Sequence, residues 1–173
     1  MGFIRSIFGS VKYIKLAVYL TLLFLLPHAT NADIRAIVIQ PNTLPYDLAP
    51  SNYNNSPKNF ENSISNYDNS ASKYDNSPSN YANSPHNYEN GKFGKRRIIS
   101  EDSTFMGYYV FSNDGIMNFY NSKGKRIAFI PYGGHTKSLF FSRGGWCGTI
   151  GNQGNATVLG LTQNCYLGFA LDE

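Results

Sequence analysis

Few side chains in this sequence are equipped for chemistry. Its 173 residues hold two cysteines, three histidines and one tryptophan, with only 11 carboxylate side chains. A tetrahedral metal site needs four ligands. Cys147 and Cys165 have only His135 near them, because His28 and His86 belong to other segments, so no metal and no cofactor is expected. Paired carboxylates for sugar hydrolysis are equally scarce. The last 80 or so residues carry Glu101, Asp102, Asp114, Asp172 and Glu173, mostly at turns or the terminus. Neither Ser138 nor Ser142 sits in a nucleophile-elbow motif that would join it to His135.

A surplus of one charge is also missing. The formal charge of +4 comes largely from Arg5, Lys12 and Lys15 at the N-terminus, and without them 12 basic residues face 11 acidic ones. There is one long apolar run, "LAVYLTLLFLLP" at 16–27. It falls short of the roughly 20 residues a membrane-spanning helix requires. It follows a basic start and precedes small residues, with Thr30 and Ala32 at the −3 and −1 positions of a cleavage point, as in an export signal. Residues 1–32 are therefore predicted to be a signal peptide, leaving an exported protein, periplasmic or secreted, with no stable membrane span after cleavage. In an oxidising compartment two cysteines read first as a disulfide, Cys147 to Cys165. They are expected to join two late strands.

What the chain does have is a repeat. Tyr46, Tyr53, Phe60, Tyr67, Tyr74, Tyr81 and Tyr88 stand seven residues apart, as in "YDNSPSNYANSP". Asn follows two positions after the ring from Asn55 to Asn90, then Ser, then often Pro. A coiled coil needs two apolar positions per heptad, and this tract has one. Asn, Ser and Pro favour turns and extended chain over helix. One ring per unit offers little area against about 1–2 kcal/mol of backbone entropy per ordered residue. Residues 46–92 are thus predicted to be a disordered, low-complexity tether, preceded by a lead segment at 33–45. Tyr53, Phe60, Tyr67, Tyr74, Tyr81 and Tyr88 are the candidate binding residues, weak grips about 20 Å apart on an extended chain of about 3.1 Å per residue. Five acidic residues against Lys58 and Lys73 exclude a nucleic-acid arm.

The Asn-Tyr-Asx-Asn-Ser-Pro tandem over about 46–92 resembles repeats in small predicted exported proteins of Gram-negative bacteria. The resemblance implies export and a modular layout, and carries no catalytic residue.

From 93 onward, short runs rich in Tyr, Phe, Val and Ile alternate with turn signals such as Asn113-Asp114-Gly115. Residues 93–173 are predicted to be an all-β domain, a small antiparallel meander closing as a barrel or sandwich. Along "FMGYYVF" both sets of alternating residues are apolar, so this strand is expected to be buried on both faces. The resulting expectation is a non-enzymatic binding protein of the cell envelope. The β domain would recognise a partner, an envelope protein or polysaccharide, and the repeat would act as tether. Two other readings compete. "GGWCGT" admits a cysteine-dependent hydrolase using Cys147 and His135, and "FGKRR" resembles the processing site of a secreted peptide precursor, cut near Lys95–Arg97.

Overall fold

The computed structural model describes residues 33–171; the predicted signal peptide, 1–32, lies outside the described residues. Eight strands close into a barrel in chain order: β1 (Ile34–Val38), β2 (Arg97–Ile99), β3 (Phe105–Phe111), β4 (Met117–Asn121), β5 (Arg126–Ile130), β6 (Ser138–Phe141), β7 (Trp146–Gln153) and β8 (Ala156–Leu161). From β2 to β8 each strand is antiparallel to the next, the expected all-β meander. Asn113-Asp114-Gly115 turns β3 into β4, with Gly115 at φ 80°, where a side chain would be strained. The register slips beside Ile98, Phe119 and Leu139, and such bulges bend strands into a tight barrel.

The barrel is not built from 93–173 alone. β1, in the segment read as a mere lead, lies between β8 and β2 and runs parallel to both. Asp33 fastens its start to Arg97 of β2, which donates from Nε over 2.8 Å and from Nη2 to the other carboxylate oxygen. Parallel neighbours need a long crossover. Residues 39–96, with the whole repeat inside them, form that crossover.

One core cluster takes side chains from every strand, including Ile34, Ile98, Phe119, Leu139 and Leu159, and so fills the barrel interior. The last apolar run, expected as a strand, is a helix, α1 (Gln163–Ala170). Thr162 caps it by accepting from the Cys165 amide at 3.3 Å, and Cys165 and Phe169, four apart on one side, pack into the core. Cys147 and Cys165 are disulfide-bonded with Cα atoms 5.4 Å apart, but the bond ties β7 to a helix rather than to another strand.

The repeat departs furthest from expectation. It is an ordered coil, not a tether. The five central units each open with a one-turn 3-10 helix beginning at the ring, Tyr53–Asn55, Phe60–Asn62, Tyr67–Asn69, Tyr74–Asn76 and Tyr81–Asn83, and the first and last units open with a turn. A second turn follows from the Ser, as where the Asn59 amide donates to the Ser56 carbonyl at 3.1 Å. Weighing ring area alone against backbone entropy misses what orders the tract: the amide side chains inside it and the barrel wall behind it.

Candidate functional site

Asn at the third position of each unit builds the coil. In Asn55, Asn62, Asn69, Asn76, Asn83 and Asn90 the buried Nδ2 donates to two carbonyls, six and eight residues earlier. For Asn76 these are Ser70 at 3.0 Å and Asp68 at 2.6 Å. Each unit is thereby stapled to the one before it. Asn at the seventh position caps the next turn: Asn59 Oδ1 accepts from the Glu61 amide at 3.1 Å, and Asn52, Asn66 and Asn80 act alike. The Ser hydroxyl accepts from the amide two residues on, as Ser77 does from Ser79 at 3.1 Å.

The coil lies on the outside of the barrel, and successive units meet successive side chains of its wall. Thr136 Oγ1 donates to Asn55 Oδ1 at 2.8 Å, and His135 Nε2 bonds Asn62 Oδ1 at 2.9 Å. Arg126 of β5 donates to the Asn69 carbonyl at 2.9 Å. On β4, Tyr120 donates to the Asn76 carbonyl at 2.8 Å and Asn118 to Asn76 Oδ1 at 3.0 Å. On β3, Tyr108 donates to the Asn83 carbonyl at 2.7 Å. Tyr108 and Tyr120 are cross-strand partners whose rings stack 5.3 Å apart. Burial raises the pKa of both hydroxyls, keeping them protonated as donors. Burial also lowers the Arg126 pKa, to about 10, which leaves the guanidinium charged at neutral pH. Arg126 Nε donates to Asn118 Oδ1 at 2.6 Å, and its guanidinium lies 4.8 Å from the centre of the Phe129 ring.

One unit carries Lys73 where the others have a capping Asn. Its ammonium reaches Asp114 of the β3–β4 turn at 2.5 Å and Asp68 at 2.7 Å. Hydrogen bonds to those two carboxylates, Asp114 foremost, raise its pKa. This unit exchanges a local cap for an ionic tie to the barrel.

The repeated ring alone has no such employment. Tyr46, Tyr53, Phe60, Tyr67, Tyr74, Tyr81 and Tyr88 are each between 63% and 79% exposed. Because the units repeat one conformation, the equivalent rings recur as one solvent-exposed row along the coil. Two rings have a polar neighbour: the Lys73 ammonium lies 5.9 Å from the Tyr67 ring centre, and the Tyr88 hydroxyl donates to Glu89 at 3.4 Å. Glu61 and Asp68, the residues after Phe60 and Tyr67, are exposed beside the row. All six candidate binding residues thus share one surface, at one ring per coil unit instead of 20 Å apart on a tether. The barrel side chains that hold the row were not read from the sequence. The signal available was the doubly apolar β3, whose outer face the coil covers.

The two competing sites lose their geometry. Cys147 is fully buried and bonded to Cys165, so it offers no thiolate, and His135 is turned to Asn62, with Glu61 at 3.6 Å. At the "FGKRR" stretch, the Lys95 and Arg96 amides donate to the Glu89 carbonyl at 3.1 and 3.3 Å, and Arg97 opens β2. A processing protease would have to unfold a barrel strand. Among the described residues no group of three or more His, Cys, Asp or Glu side chains is placed to hold a metal, and no helix is long and apolar enough to cross a membrane. No protein-family model, curated protein or solved structure matches the chain.

Proposed function

We propose that this is an exported, non-enzymatic binding protein of the bacterial cell envelope, with the row of rings as its contact surface and neutral polysaccharide as its partner. One observation carries the reading. The repeated Asn and the Ser that follows the ring turn are used to build or dock the coil, while the repeated ring is left exposed to solvent. Flat rings with polar edges stack on the apolar faces of sugars, and exposed carboxylates beside them accept from sugar hydroxyls. The acidic surplus of the coil disfavours phosphate backbones and anionic lipid. The disulfide supports an oxidising destination. The barrel, expected as a recognition module, serves in this reading as the frame that fixes ring spacing.

Co-sedimentation of purified protein with insoluble cell-wall polysaccharide tests the proposal. Converting Tyr53, Phe60, Tyr67, Tyr74, Tyr81 and Tyr88 to Ser abolishes pelleting while the circular dichroism of the barrel stays unchanged, and variants losing two or four rings fall between. A six-ring variant that pellets like the parent chain rules out the row as the contact surface. Pelleting of the parent with envelope protein but not with polysaccharide transfers the site to a protein partner.

A further inference from the structure

A cavity of about 540 Å³ opens between α1, the start of β5 and the β6–β7 turn. Its volume is that of a small-molecule site. Phe141 and Leu167 give it an apolar lining, and Lys125, Arg126 and Arg143 line it with positive charge, with no carboxylate among the described lining residues. None of these three cations is in an ion pair among the described residues. Arg126 is 6% exposed and spends two nitrogens on neutral partners, Asn118 and the Asn69 carbonyl, while its Nη2 has none. The Ser142 hydroxyl in the same wall is also buried without a partner. Buried polar groups are almost always satisfied, and a buried cation without a counter-charge is costlier still.

From this combination we infer that the cavity is a binding site for a small amphiphilic carboxylate, an anionic head on a medium-length apolar body. The head meets the Lys125–Arg143 side, and the body lies against Phe141 and Leu167. A bare inorganic anion leaves the apolar lining unused, and a neutral amphiphile leaves the charge unanswered. The site is independent of the row of rings, so either stands if the other fails.

Titration calorimetry and amide chemical-shift mapping on the full chain with octanoate, acetate and 1-octanol test the inference. Octanoate binds, with shifts centred on 125–127, 141–143 and 164–168, while acetate and octanol each bind at least about tenfold more weakly, a difference of about 1.4 kcal/mol. Lys125 and Arg143 are exposed, and the double variant Lys125→Glu/Arg143→Glu keeps the parent melting temperature yet loses octanoate by a similar factor. No octanoate binding up to millimolar concentration, equal binding of octanol, or undiminished binding by the charge-reversed variant each overturns the inference.

Discussion

The barrel and the coil reach order by opposite means. The barrel closes an apolar interior with side chains from all eight strands and adds a disulfide at one end. The coil has no such interior, and its characteristic buried side chains are amides. Two amide-to-carbonyl bonds per unit, each worth about 1 kcal/mol net, do not offset seven residues at about 1–2 kcal/mol of backbone entropy each. The turn bonds and the wall of β3–β5 supply the remainder. The difference shows that a low-complexity sequence can be locally consistent without being self-sufficient: its amides fix the coil's shape, and the barrel decides whether the shape is populated.

The most severe way to break the comparison is to separate its halves. A peptide of residues 46–92 loses all its order, giving sharp, poorly dispersed amide signals, whereas the same residues in the full chain are dispersed. A folded isolated peptide would mean that the coil does not need the wall.

Asn76→Ala comes next. It strands the Asp68 and Ser70 carbonyls and removes the acceptor for Asn118. Each stranded group costs about 1–3 kcal/mol, so denaturant unfolding should report a loss of about 4 kcal/mol.

Replacing Cys147 and Cys165 together by Ala strikes the barrel instead. The residues lie 18 apart, and a loop of that length is worth about 3 kcal/mol in the chain-entropy treatment. Equilibrium unfolding measures it. Loss of the coil signal well before the barrel signal in this variant would show two separate folding units.

The seam between the halves is sharpened by pH. Tyr108 and Tyr120 have pKa values raised by burial above the ordinary 10.0, so their contribution is complete below pH 10 and is lost as pH rises towards the folded values. Stability therefore declines above pH 10, followed by near-ultraviolet circular dichroism. Tyr120→Phe, which deprives the Asn76 carbonyl of a donor, costs about 1–2 kcal/mol at neutral pH and flattens that decline. The smallest effect belongs to Tyr74→Ser, an exposed ring. It changes stability by less than about 0.5 kcal/mol, read from the thermal midpoint.

Local patterns carried much of this architecture. The runs bounded by Asn-Asp-Gly and Gly-Gly mark barrel strands, and the doubly apolar β3 registers a cover on its outer face before the cover is known. The cover itself was hidden by distance. Asn118 meets Asn76 across 42 positions and Thr136 meets Asn55 across 81, and nothing in a run of Asn and Ser names a partner so remote. β1 was missed because "IRAIV" is short and stands apart from the other strands, paired to β2 across the whole repeat. The last run was misread because "NCYLGFA" offers apolar residues at helical and strand spacing alike, and the Thr162 cap decides between them. The row of rings was legible as residues but not as a surface, because its geometry belongs to the amides beneath it.

Near-identical units in a protein imply near-identical stretches of gene, and copying such stretches adds or drops units. In a free tether that drift would pass unnoticed. Here the run leaves β1 and returns to β2 at its side after passing Thr136, His135, Arg126, Tyr120 and Tyr108 in turn. A gene with one unit more or fewer slides part of the coil past those side chains, leaving surplus chain to loop out or a gap the connections must stretch to close. The barrel therefore keeps a tally of its own gene, and inheritance of the repeat number is subject to the same selection as any buried residue.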